Sequence, residues 1–299
     1  MKKKLLFFAL SIGLLTTFSV RSQEKEVTIS VDTLSQNTYM LTGQGGNIGI
    51  YVGETHVFMI DDQFERLSEK LKQAISGLTD KPIAFLFNTH MHGDHSGGNA
   101  RFNSETVTLV AQDKVRERLK LGLMKKVEAN EMSQGDYINM LPEVTFSEDI
   151  TFYDGDETIM AFHVHNAHTD GDAMVYFMEN NVLHMGDTYF KGRYPYIDLK
   201  SGGSIDGFIK AQKKALMVIN EETKIIPGHG RPSNAAELRN SIAMLEDIRA
   251  KIQAQIDAGS SLEEVKMNAT LTADYDSKNG TGFINSERIR EIIYTSLKK

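Results

Sequence analysis

Three histidines and an aspartate fall within six residues, His90-Met91-His92-Gly93-Asp94-His95, in a chain with only nine histidines among 299 residues. Imidazole nitrogen and carboxylate oxygen are donors that suit zinc, and a catalytic zinc site keeps one position open for water. A polar surface loop is the plain alternative, but donors of this kind seldom crowd so closely without an ion to hold. The apolar run Ile83-Ala84-Phe85-Leu86-Phe87 precedes the cluster and reads as a buried strand. The four donors therefore sit where a strand gives way to a loop.

If this cluster binds metal, further donors should stand at other strand ends. Three places qualify: Asn166-Ala167-His168-Thr169-Asp170-Gly171-Asp172 between two strands, Met185-Gly186-Asp187-Thr188 after the strand 181–185, and Pro227-Gly228-His229-Gly230 after the strand 224–226. Glycines flank the last histidine and let the backbone approach closely. The C-terminal ends of strands are where open α/β sheets place their sites.

The elements that must position these donors can be followed in order. From Glu26 to Asp61 short β-type runs, 27–31, 38–41, 48–52 and 56–60, alternate with turn residues. Gly43-Gln44-Gly45-Gly46-Asn47 lacks the G-x-G-x-x-G spacing and no helix follows, so it reads as a turn rather than a dinucleotide loop. Asp61-Asp62-Gln63 is placed to cap a helix over 64–78. After the strand 83–87 come a strand at 106–110 and a helix from Gln112 to about Glu131, whose Lys and Arg residues read as a solvated face. A second meander begins near Val144, with 149–152 and 158–165 about a turn at Asp154-Gly155-Asp156; the spacing of a calcium loop is absent there. Strands at 173–178 and 181–185, a helix at 203–219, the strand 224–226 and a long helix at 234–258 complete the pattern. A Gly-containing linker at 274–282 then leads to a last helix, 286–297, and residues 259–299 are assigned no role.

Strands, helix, strand, helix thus occurs twice, in 26–131 and in 144–258. That order predicts two similar halves packed into one α/β domain, with helices on the outer face of each sheet.

The first residues and the overall charge bound the setting. Lys2, Lys3 and Lys4 precede a mostly apolar stretch, Leu5 to Val20, and Val20-Arg21-Ser22 offers a small-residue cleavage site. Residues 1–22 therefore read as a signal peptide, with 23–299 as the mature domain and a secreted or periplasmic location. The segment is short for a membrane span, and a chain without cysteine has neither a lipid-anchor site nor a disulfide. Cleavage would move the net charge from −7 to −11. Such an acidic surface disfavours nucleic acid, whose binding depends on neutralising phosphates, and leaves a small-molecule substrate as the expected partner. The oligomeric state is not legible.

The ordered set His90-Met91-His92-Gly93-Asp94-His95, His168, Asp187 and Pro227-Gly228-His229-Gly230, with Ile60-Asp61-Asp62 ahead of the first helix, resembles the metallo-β-lactamase superfamily over most of residues 26–231. The resemblance implies a four-layer αβ/βα sandwich with a dinuclear site between its sheets. It also implies that His90, His92 and His168 hold one zinc, that Asp94, His95 and His229 hold a second, and that Asp187 bridges them. Asp61 would orient the loop from behind the ligands. Two zinc ions per chain are expected, with iron or manganese as alternatives. A hydroxide bridging the pair would attack a carbonyl carbon, with Asp94 moving the proton.

The match to exported zinc β-lactamases is incomplete. Their best-known subclass carries Cys where Asp187 stands, lacks a histidine at the position of His95, and places a substrate-binding Lys where this chain has Phe190. Lys191 and Arg193 are the nearby candidates for holding a substrate carboxylate, with surface charge as the equal alternative. The subclass with a histidine at the position of His95 has no bridging aspartate. His165 shares a strand face with His163 and is a candidate pocket residue; His56 and His184 read as structural or surface groups. The full ligand set looks more like thioesterases and lactonases of the glyoxalase II type, usually cytoplasmic, whereas the leader points to the cell envelope. The expectation is an exported hydrolase of a β-lactam-like cyclic amide or ester. A glyoxalase II-type thioesterase or lactonase, a non-catalytic periplasmic zinc-binding protein and an iron-dependent oxygenase are the alternatives.

Overall fold

Along the strand Val57–Ile60 every residue is buried, yet Val57 and Met59 join one apolar cluster while Phe58 and Ile60 join another. Side chains alternate across a strand, so this sheet is covered on both faces. The same division recurs at Ala173–Phe177, where Ala173, Val175 and Phe177 face the Phe58 cluster and Met174 and Tyr176 face away.

The computed structural model describes residues 26–299; the segment 1–22 expected to be a leader lies outside the described residues. A seven-stranded sheet runs in chain order through β1 (Ser30–Thr33), β2 (Thr38–Thr42), β3 (Ile48–Val52), β4 (Val57–Ile60), β5 (Ile83–Asn88), β6 (Thr108–Gln112) and β7 (Val144–Phe146). β1 to β4 pair antiparallel, and β4 to β7 pair parallel. The second sheet has β8 (Asp149–Asp154), β9 (Glu157–His163), β10 (Ala173–Phe177), β11 (Val182–His184), β12 (Lys224–Ile226) and β13 (Ser233–Asn234), in order from one edge to the other. Only β11 and β12 pair parallel in it. Phe58, Phe87, Val110, Ile159, Val175, Phe177 and Ile226 fill the space between the sheets.

On the outer face of the first sheet lie α1 (Ser68–Ser76), the short turns α2 (Gly93–Ser96) and α3 (Asn99–Phe102), α4 (Asp113–Glu128) and α5 (Gln134–Asn139). Over the second lie α6 (Ile205–Val218), α7 (Ala235–Asp257), α8 (Leu262–Met267), α9 (Ala273–Asn279) and α10 (Ser286–Leu297). The four layers are those of the expected αβ/βα sandwich. Polar caps start the main helices of the second half: Ser204 accepts from Gly207 N–H at 3.0 Å, Asn234 from Glu237 N–H at 3.0 Å and Asn285 from Arg288 N–H at 2.8 Å. No helix among the described residues is long and apolar enough to cross a membrane.

Three expectations are corrected. Val144–Phe146 does not open the second meander; it pairs with β6 and completes the first sheet. Asp61-Asp62-Gln63 caps no helix: α1 starts at Ser68 without a side-chain cap, and these three polar groups turn inward. Finally, the stretch between α7 and α10 is built from α8 and α9, with Leu271 and Val265 in the core.

Candidate metal centre

β4 and β5 are adjacent parallel strands, so the residues that follow them, Asp61 and Thr89, emerge side by side. Asp61 adopts the left-handed backbone region at φ 63°, a conformation aspartate tolerates better than most residues and one that concentrates at functional sites. Its carboxylate is fully buried. Oδ1 accepts Thr89 N–H at 2.8 Å, and Oδ2 accepts both Thr89 Oγ1–H at 2.8 Å and His95 Nδ1–H at 2.7 Å. Thr89 Oγ1, having donated to Asp61, accepts from His90 Nδ1 at 3.1 Å. One carboxylate thus fixes two imidazoles, His95 directly and His90 through a hydroxyl, and turns both Nε2 lone pairs the same way.

A strap after β11 braces two more rings. His168 Nδ1–H donates to Tyr196 O at 2.8 Å, and Asp198 N–H donates to His168 O at 2.9 Å. Asp198 Oδ2 accepts from His92 Nε2 at 3.1 Å, which leaves His92 Nδ1 facing inward, 2.8 Å from His168 Nε2. The C-terminal helices hold this strap: Tyr194 donates its hydroxyl to Asp276 at 2.8 Å and its N–H to Asn279 O at 3.0 Å. At the mouth, Phe283 is 87 % exposed and meets Tyr196 edge-on, with Tyr196 flanking His92 and His168.

The seven donors converge as two groups, His90–His92–His168–Asp187 and Asp94–His95–His229, with the donor atoms of each group within 4.8 Å of one another. Asp187 divides itself between them. Its Oδ2 lies 3.8 Å from His90 Nε2 and 3.5 Å from His168 Nε2, while Oδ1 lies 3.0 Å from His95 Nε2 and 3.3 Å from His229 Nε2. Asp94 Oδ2 stands 3.4 Å from His229 Nε2. Close approach requires glycine. A Cβ at Gly46 would meet the His95 ring at 2.0 Å, and one at Gly228 would meet Asp187 Oδ1 at 2.1 Å. The loop that reads as a simple turn in the sequence is therefore a wall of the site. Asn47 ties it to the other half, donating to Pro227 O at 2.9 Å and Gly230 O at 2.8 Å.

Burial and charge act differently on the two groups. Burial pushes the pKa of His90 well below the usual imidazole range and lowers that of His168, so both rings are neutral donors. Burial also opposes charge on His95 and His229, but Asp187, aided by Asp61 at His95, outweighs it. His95 is raised well above its usual range and His229 to about 9. Asp187, although buried, is held well below the carboxylate range by His95 and His229. Asp94 is likewise lowered, the hydrogen bond from His229 overcoming its burial.

The residues fit a pair of divalent cations. Buried His90 Nε2 and Asp187 Oδ1 have no well-formed hydrogen-bond partner, an expensive arrangement unless a ligand completes them. Inward-facing ring nitrogens 2.8 Å apart, as at His92 and His168, need a shared proton or a metal cation between them, and imidazole nitrogen suits the latter.

The remaining candidates are placed elsewhere. His165 is exposed and paired with Glu148 at 3.2 Å, outside both donor groups. Lys191 is tied to Glu237; Arg193 lies on the strap and packs against Gly282. His184 is fully buried behind the site, its pKa lowered by burial to about 4, with Nε2 3.2 Å from Asn47 O. Sequence reasoning missed Thr89, Tyr196 and Asp198, the partners that orient the rings, and Phe283 at the mouth.

A family model described as the metallo-beta-lactamase superfamily matches residues 41–229, the span that contains every donor above. Among solved structures, DIM-1 metallo-beta-lactamase is 19% identical with a TM-score of 0.59, covering 74% of this chain and 99% of its own. A metallo-beta-lactamase from Pontibacter korlensis is 17% identical with a TM-score of 0.60, covering 74% of this chain and 100% of its own. IND-7 is 19% identical with a TM-score of 0.59, covering 75% and 100%. At such identities the likeness is one of fold.

Proposed function

Because this chain belongs to the metallo-beta-lactamase superfamily, a family of metal-dependent hydrolases, we propose that it is an exported dinuclear zinc hydrolase that opens a β-lactam-like cyclic amide or ester. The observation that carries the dinuclear reading is Asp187, whose two oxygens face separate sets of ring nitrogens. Export rests on the leader-like sequence of residues 1–22.

His90, His92 and His168 would hold one zinc and Asp94, His95 and His229 the other, with Asp187 shared. Bound there, the ions supply an acidified water as nucleophile and a Lewis acid for the carbonyl oxygen. The chain's own groups supply orientation and proton traffic. Asp94 has a side chain 29% exposed beside His229, so its Oδ2 can take a proton from the attacking water and hand it to the leaving nitrogen or oxygen. Tyr196, beside His92 and His168, and the exposed Phe283 that meets it edge-on offer aromatic faces to the substrate. Arg193, which forms no ion pair among the described residues, is the better candidate for a substrate carboxylate, since Lys191 is engaged by Glu237.

The test is a hydrolysis panel of a carbapenem, a cephalosporin, a homoserine lactone and S-lactoylglutathione, with and without chelator. Turnover of a cyclic amide or ester, lost with chelator and restored by zinc, is expected. Turnover confined to the thioester would replace the reading with a thioesterase. No turnover by protein carrying two zinc ions would favour a zinc-binding role.

A further inference from the structure

A groove of about 610 Å³ lies beside the metal centre, between the α2 turn and the α4–α5 pair. That volume falls within the range of small-molecule sites. It meets the donor cluster at His92 and Gly93. Its walls are Leu119, Leu123 and Met140, which are buried, and Met91 and Met132, which are half-buried. Thioether side chains are unbranched and polarizable, so they reshape around flexible apolar groups. Of the two cations on the wall, Arg118 is engaged by Asp170 through bonds of 2.5 and 2.7 Å, and Lys126 is outnumbered by Glu65, Glu131 and Asp136 on the same wall, which argues against an anionic occupant.

Two glycines keep the groove wide where the fold does not require glycine. Gly122 stands in the interior of α4, where glycine is destabilising relative to alanine. A Cβ built on Gly122 would have no atom within 4 Å, and the same holds for Gly93. Neither has a positive φ. Both glycines are exposed, and their missing side chains leave open the groove that His92 also lines.

We propose that this groove binds an extended, flexible apolar substituent of the substrate, with Gly122 setting the length it accepts. The proposal rests on the hydrolytic reading above, since the groove is continuous with the metal loop through His92. A substrate carbonyl at the donor cluster would send its alkyl group between Met91 and α4.

The test uses the zinc-loaded protein and Gly122→Leu, a change to a better helix former that keeps α4 intact. Two matched pairs of substrates, a β-lactam and a γ-lactone, each carry either a methyl or a heptyl group. Wild type should favour the heptyl member, and Gly122→Leu should lower its kcat/KM by about tenfold or more while leaving the methyl member unchanged. Equal turnover of both members by wild type, or an equal loss on both in the variant, would overturn the proposal. Octan-1-ol binding followed by calorimetry reads the groove without turnover and without a charged head group. Binding to wild type that Gly122→Leu abolishes supports the groove even if neither pair is hydrolysed, an outcome that would count against the hydrolytic reading alone. No octan-1-ol binding to wild type would overturn the groove.

Discussion

The two donor groups share one aspartate but are prepared in different ways. Around His90, His92 and His168, burial keeps His90 and His168 neutral, and their outer nitrogens are bound by a hydroxyl, a backbone carbonyl and, at His92, Asp198. Around Asp94, His95 and His229, the rings sit against two carboxylates that favour their charged forms. His90 and His168 are ready for a cation as they stand. The second group must give up protons before it can take one, because a ligating imidazole is neutral. Two ions bound a few ångströms apart should therefore differ in their dependence on pH.

Mutations can break this comparison at graded points. Asp187→Ala removes the one group common to both sets and should abolish hydrolysis, a loss beyond the roughly 100-fold typical of residues behind the ligands; kinetics with circular dichroism as a check on folding would measure it. Asp61→Ala frees His95 and, through Thr89, His90, so affinity for both ions should fall by roughly 10- to 100-fold in calorimetric titration. Asp198→Ala should sharpen the contrast, weakening the first ion by a similar factor of roughly 10 to 100 and sparing the second. Equal effects on both ions would argue against the division. Asn234→Ala, which removes the cap of α7 outside both donor groups, should cost about 1 kcal/mol in denaturant unfolding and leave both affinities unchanged.

Much of the site was legible in the sequence because its donors lie where strands end, and short apolar runs mark strand ends well. His90, His92, Asp94 and His95 announce themselves by density, and His168, Asp187 and His229 by their place after strands. The orienting partners were not legible. Asp198 and Tyr196 act across 106 and 28 residues of sequence, through one side chain and one carbonyl, and leave no periodic trace. Asp61 to Gln63 resembled a helix cap because the same side chains that cap helices also accept from loop amides; only the turn of the backbone at Asp61 and Gln63 decides which. Val144–Phe146 reads as the start of the second half because its parallel pairing with β6 depends on the path of α4 and α5, not on local pattern. Helices α8 and α9 are six and seven residues long, too short for a clear helical period. The task of α9, holding Tyr194 on the strap that carries Tyr196 and Asp198, emerges only from the packing.

The central claim is that two ions divide across Asp187, one set ready and the other proton-bound. Zinc titration of chelator-stripped protein between pH 6 and 9, with proton release measured in parallel, tests it most directly. The account predicts two zinc ions per chain. The first, held by the neutral rings of His90 and His168, should depend on pH less steeply than the second. The second should strengthen about tenfold per pH unit for each proton released, with His229 giving up its own at about pH 9. A single ion per chain, or two ions with the same pH dependence, would contradict it.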